Sequence, residues 1–192
     1  GKNSSLTIIK NIERVVEENP DIHVWNLSLG SELEINPNFI SPEAALIDRI
    51  QCEKNVIFVI AGTNDNDDTL KKKIGSPADS INALVVNSLS FSGKIPSYAR
   101  KGNVLSFFNK PDVSYYGGDK DGAFITCIGT GVKQGIGTSY AAPWISRKMS
   151  YLIDVMGLTR EIAKALIIDS ATNWNYVNDE NSKFIGFGKV PV

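Results

Sequence analysis

Near the start of the chain, apolar residues recur at helical spacing: Leu6, Ile9, Ile12, Val15 and Val16 share one face. Ser4 and Ser5 can cap this stretch and Asn19-Pro20-Asp21 stops it, which predicts a helix ending at about Glu18. The period then changes, and residues 22–29 read as a strand. Ser41-Pro42-Glu43 opens a second helix through Ala44, Ala45, Ile47 and Ile50, with proline at the first helical position. Val56, Ile57, Phe58, Val59 and Ile60 are apolar without alternation, the pattern of a strand covered on both faces. Thr159 caps a last helix from Arg160 to about Ala171, whose Ile162, Ala163, Leu166 and Ile167 are predicted to face the core. The polar segments 32–38, 64–73 and 173–183 read as surface loops. Alternating helices and strands predict an α/β fold with a mostly parallel sheet flanked by helices. No repeat, linker or low-complexity stretch divides residues 1–192, which read as a single domain.

Composition narrows the partners. With 42% hydrophobic and 21% charged residues, 192 residues can bury a substantial core. Its 20 Lys and Arg are matched by 21 Asp and Glu, and a net charge of −1 argues against nucleic acid or a membrane surface as partner. Lys71-Lys72-Lys73 is read as a solvated loop. No stretch approaches the roughly 18 uninterrupted apolar residues of a membrane span. Cys52 and Cys127 lack metal-ligand spacing, and each is read as a small buried hydrophobe. The cysteine content leaves the compartment open.

The candidate nucleophile is Ser139. It lies in Gly137-Thr138-Ser139-Tyr140-Ala141-Ala142-Pro143, a small-residue turn leading into an apolar helical stretch that ends around Asp154. A hydroxyl on that perch sits where unpaired backbone N–H groups and the helix dipole stabilise a developing oxyanion. Its base is not evident. The single histidine, His23, precedes the strand of residues 22–29 and is read as a strand-edge or surface residue. Tyr140 and Trp144 are read as core aromatics, and Asp65 and Asp112 as structural.

Several blocks, in order, resemble the subtilisin-like serine proteases. Val24-Trp25-Asn26-Leu27-Ser28-Leu29-Gly30 is similar to the family strand ending in Ser-Leu-Gly, and Val56 through Ala61-Gly62-Thr63-Asn64-Asp65 to the strand ending in Ala-Gly-Asn. Ser76-Pro77-Ala78, with Ala83-Leu84-Val85-Val86-Asn87-Ser88, resembles the next apolar strand. Pro96-Ser97-Tyr98-Ala99-Arg100-Lys101-Gly102 and Lys110-Pro111-Asp112-Val113-Ser114 resemble the Ser-Phe-Ser-x-x-Gly and Lys-Pro-Asp-Val blocks. Phe187-Gly188-Lys189-Val190 resembles the closing segment.

The resemblance implies a subtilisin-like three-layer fold in which Ser139 attacks a peptide carbonyl. It implies that Ser28, Leu29, Gly30, Ala61, Gly62 and Thr138 line the substrate cleft. An asparagine side chain would help hold the oxyanion: in strict register that position is Thr63, with Asn64 one residue later, and the sequence leaves both open. The family's Asp-Thr/Ser-Gly and His-Gly-Thr-His motifs occur nowhere in these 192 residues. The expectation is therefore that the N-terminal part of the fold, with the catalytic Asp and His, belongs to residues upstream, and that these are a partner the chain needs besides its polypeptide substrate. Calcium often stabilises such proteins, but no acidic cluster here has ligand spacing, so neither metal nor other cofactor is predicted. An α/β-hydrolase reading fails, because its histidine would follow the serine and none follows Ser139. A serine-carboxyl peptidase, with Asp65 near the oxyanion, and a scaffold that binds peptides without cleaving them remain as alternatives.

Overall fold

The computed structural model describes residues 5–65, 72–128, 131–172 and 179–192. Four parallel strands form the central sheet in the order β1 (Val24–Leu27), β2 (Ile57–Ala61), β3 (Leu84–Leu89), β4 (Val113–Tyr116). Registers such as Trp25 with Phe58, Ile60 with Val85 and Asn87 with Ser114 carry the pairing across it.

Helices cover both faces, which explains why the strands carry no polar alternation. Within β2, Ile57, Val59 and Ala61 pack with Ala141, Ile145 and Met149 of α3 (Thr138–Ser150) and with Ala163 and Ile167 of α4 (Arg160–Asp169). Phe58 and Ile60 point the other way, toward Ile9 and Val16 of α1 (Ser5–Glu18) and Ile47 and Ile50 of α2 (Pro42–Lys54). A period of two thus survives, hidden because both faces are buried. The two helix N-termini behave as the residues imply: Ser41 Oγ accepts from the Ala44 N–H at 3.2 Å, and Thr159 Oγ1 accepts from the Ile162 N–H at 3.4 Å. A hairpin, β5 (Phe124–Ile128) with β6 (Gly131–Gly135), precedes α3, and a wide π turn, Tyr151–Val155, closes it.

Several sequence expectations are corrected. A fifth helix, α5 (Asp179–Ile185), occupies part of the segment read as a loop at 173–183, and the carbonyl of its Phe184 accepts from Asn87 Nδ2 at 2.8 Å. Residues 66–71 and 173–178, also read as loop, lie outside the described residues, as does Ser4. Ile162 and Leu166 do not face the core: they are 50% and 44% exposed, whereas Ala163 and Ile167 are buried. Val15 is likewise partly exposed. Trp144 is 41% exposed rather than a core aromatic. Tyr140 is half-buried and stacks on Phe124 with ring centroids 5.7 Å apart. Cys52 is an exposed free thiol, not a buried hydrophobe, and the Cys127 side chain lies outside the description.

Candidate active site

The sheet gathers its loops at the carboxyl ends of the strands, where ligands of open α/β sheets collect. Ser28-Leu29-Gly30 leaves the end of β1, Gly62-Thr63-Asn64 leaves the end of β2, and Gly117 follows β4, its carbonyl accepting from the Gly137 N–H at 3.0 Å. Ser139 is half-buried on the first turn of α3, between these loops. A cavity of about 200 Å³ joins Ser28, Leu29, Gly30, Ala61, Thr63, Asn64, Thr138 and Ser139, along with Ser31 and Glu32. Every sequence-predicted site residue except Gly62 lines it, and Gly62 is buried directly behind, its N–H donating to the Val86 carbonyl at 2.9 Å.

Thr63 and Asn64 are placed differently with respect to the serine turn. Thr63 adopts φ 65°, a left-handed conformation that is unusual for a β-branched residue. Its hydroxyl is engaged on both sides, donating to the Gly62 carbonyl at 2.6 Å and accepting from the buried Gly75 N–H at 3.0 Å. That kink swings the next residue, Asn64, onto the serine turn. Asn64 Oδ1 accepts from both the backbone N–H and the Oγ1 of Thr138, each at 3.0 Å. With its oxygen so engaged, the amide nitrogen is left as a donor beside Gly137. Gly137 has φ 141°, and a Cβ there would stand 2.8 Å from Asn64 Nδ2, so a glycine is needed at this point. Gly30 is constrained similarly: a Cβ would approach Thr63 Cγ2 to 2.3 Å.

Pro143 completes the local chemistry. Lying within α3 it has no N–H, so the carbonyl of Ser139, four residues earlier, loses its helical partner. Ser28 Oγ donates to that carbonyl at 3.4 Å and itself accepts from Asn26 Nδ2 at 2.9 Å, tying the end of β1 to the serine turn. In the first turn of α3 the Thr138 N–H is taken by Asn64 and the Tyr140 N–H donates to the Gly137 carbonyl at 3.0 Å, and the N-terminus of this 13-residue helix borders the cavity through Thr138 and Ser139.

His23 lies at the other end of β1, about 16 Å from Ser28 at the rise of an extended strand. Its Nδ1 is 2.8 Å from Asp154 Oδ1, in the turn after α3. It is not brought to Ser139. Asp65 is buried, and its carboxylate pairs with Lys72 at 3.2 Å. Asp112, also buried, accepts from the Val85 N–H at 2.7 Å and from Lys110 Nζ at 2.6 Å, as befits a structural residue.

A parallel sheet between two layers of helices, with a serine at the head of α3 and an asparagine side chain clasping the same turn, is an α/β architecture of the subtilisin type. The chain belongs to the subtilase family, whose sequence model matches residues 1–188. A search of curated proteins found no match. Solved structures of the same fold include the prenylagaramide maturation protease PagA, with 22% identity, a TM-score of 0.76, and 99% of this chain covering 66% of that one. The self-cleaved protease domain of PatA is 20% identical with a TM-score of 0.73, 98% of this chain covering 65% of it. The epidermin leader peptide processing serine protease EpiP from Staphylococcus aureus is 19% identical with a TM-score of 0.73, 99% of this chain covering 53% of it. At these identities the likeness is one of fold, and the chain spans less than two thirds of the length of each of these proteins.

Proposed function

We propose that these residues form the nucleophile half of a serine endopeptidase. Ser139 Oγ attacks the carbonyl carbon of a peptide bond, and its proton passes to a histidine, held by an aspartate, from sequence outside these 192 residues. The negative charge that develops on the carbonyl oxygen is held by Asn64 Nδ2 and the Ser139 N–H at the head of α3. Collapse of the tetrahedral species expels the amine, leaving an acyl group on Ser139 for water to remove. Substrate backbone lies along Ser28-Leu29-Gly30. The observation that supports this reading is the clasp of Asn64 on Thr138, which engages the amide oxygen and leaves the amide nitrogen as a donor beside the serine turn.

Fluorophosphonate labelling tests it. The natural protein containing this chain is expected to label, its Ser139→Ala variant not to, and the 192-residue chain alone to label negligibly, because an unassisted serine is a weak nucleophile. Folded natural protein that stays unlabelled would favour the second reading, a scaffold that binds peptides without cleaving them. The position of the only histidine, at the far end of β1, is the observation that keeps this second reading open.

A further inference from the structure

At the opposite end of α3 from Ser139 lies a larger cavity, of about 650 Å³, where the last turn of that helix meets α4 and residues 190–192. Arg147, on its border, stands about 12 Å along the helix axis from Ser139, and the two cavities share no lining residue. The volume is that of a small-molecule site. Its floor is apolar and buried, made by Tyr115 of β4 and Ile167 of α4. Trp144, Tyr151 and Leu166 form an exposed apolar rim, with the Trp144 and Tyr115 ring centroids 6.5 Å apart.

Two cations border this apolar space, and neither is paired with an acid. Arg147 is exposed, and Lys148 is half-buried with its Nζ 6.0 Å from the centre of the Tyr115 ring. Among the described residues no carboxylate forms an ion pair with either of them. One acid, Asp169 at the end of α4, also lines the cavity. Each class of small molecule meets a different balance here. A cationic amphiphile is repelled by Arg147 and Lys148. A neutral apolar one covers the rings but takes water from the cations without return. A dianion such as a phosphate monoester satisfies the cations while setting two charges against Asp169. A monocarboxylate lays its aryl or alkyl body on the rings and brings a single charge to Arg147, whose planar fork takes a carboxylate through two N–H bonds.

We infer that this cavity binds an amphiphilic monocarboxylate, its apolar body on Tyr115, Trp144 and Leu166 and its carboxylate on Arg147 and Lys148. The inference does not rest on the protease reading, and its test is made on binding alone. The natural protein containing this chain is titrated calorimetrically with phenyloctanoate, with the amide of the same acid, and with phenyloctylamine.

The acid is expected to bind about tenfold more tightly than the amide, the scale of two partly exposed ion pairs, and the amine to bind most weakly. Added salt should narrow the acid's advantage. In Arg147→Gln/Lys148→Gln the acid should fall to the level of the amide, with the amide itself unchanged. Neither substitution removes an ion pair from the folded chain, and the salt series is read on the unaltered cavity, so the test does not hang on the variant folding. Equal binding of acid and amide, binding of neither, or an acid preference that survives the double substitution would overturn the inference. Acid binding of this kind in a natural protein that does not label at Ser139 would leave the inference standing and count only against the protease reading.

Discussion

Asn64 combines two roles whose separation is testable. Its Oδ1 caps α3 through Thr138, and its Nδ2 is the proposed oxyanion donor. Asn64→Ala removes both; Asn64→Asp keeps the acceptor for Thr138 and removes only the donor. Both variants of the natural protein are expected to lose roughly 10²–10³-fold in kcat with KM little changed, while only the alanine also loses about 1 kcal/mol of stability in chemical denaturation. Wild-type turnover in Asn64→Asp would exclude the donor role. A second single-residue effect belongs to Lys110. Its side chain is wholly buried, donating to Asp112 and to the carbonyls of Ile81 and Ala83, and burial pushes its pKa from the ordinary 10.5 down to about 8. The folded state therefore releases this proton before the unfolded chain does. Between about pH 8 and 10.5 the unfolded state binds more protons, so this group makes stability rise with pH there. Buried Tyr98, raised to about 12, opposes only above its ordinary 10.0, where the unfolded chain ionises first. Denaturation midpoints compared from about pH 8 to 10 should show a rise that is absent in Lys110→Met. An identical slope in both proteins would rule this contribution out.

At the scale of elements, the C-terminus of α2 offers a direct check on local backbone control. Asn55 ends the helix at φ 53° and ψ 41°, left-handed values that asparagine tolerates and most residues do not. Asn55→Ala is expected to cost about 1 kcal/mol, and Asn55→Gly little or nothing, read from thermal or denaturant unfolding; equal losses would show that the asparagine side chain matters rather than its conformation. Elements of this kind were legible from sequence because the signal is local: Ser41-Pro42 starts α2, Thr159 starts α4, and five apolar residues in a row mark β2. The residues that share the serine cavity also lie in the ordered blocks that resemble the family. What escaped was decided by packing. On α4, the pair Ile162 and Leu166 and the pair Ala163 and Ile167 are equally good apolar faces at i, i+4 spacing, and the sheet takes the second pair, whose alanine lets the helix sit close. Helical periodicity cannot choose between two adjacent apolar stripes. The placement of Asn64 against Thr138 escaped for a related reason. It goes with a left-handed backbone at Thr63, whose hydroxyl is held by the distant Gly75, and no local pattern announces that.

At the scale of the whole molecule, the unused stripe of α4 has a consequence. Ile162 and Leu166 do not stand alone on the surface: Leu166 lines one cavity with Ile162 and a second, of about 650 Å³, with Trp144, Tyr151 and Tyr115. Single exposed apolar side chains are ordinary, but a continuous apolar face spanning two helices and a cavity is a surface on which other apolar groups collect. Arg147 and Lys148 border the larger cavity and keep it wet at one edge; Lys148 Nζ stands 6.0 Å from the centre of the Tyr115 ring, as a cation over an aromatic face does. The isolated 192-residue chain is expected to bind a hydrophobic fluorescent dye in its folded state and to self-associate with rising concentration in sedimentation velocity. Leu166→Glu places a charge where the two cavities meet, at a residue 44% exposed, so folding should survive while dye binding and association both fall. Because Ser139 and Asn64 lie at the opposite end of α3 from Tyr151, fluorophosphonate labelling of the natural protein should be the same with either residue at position 166. Dye binding that persists in Leu166→Glu would place the exposed apolar surface elsewhere, and a dye-silent monomer at every concentration would show that this face is too well hydrated to associate.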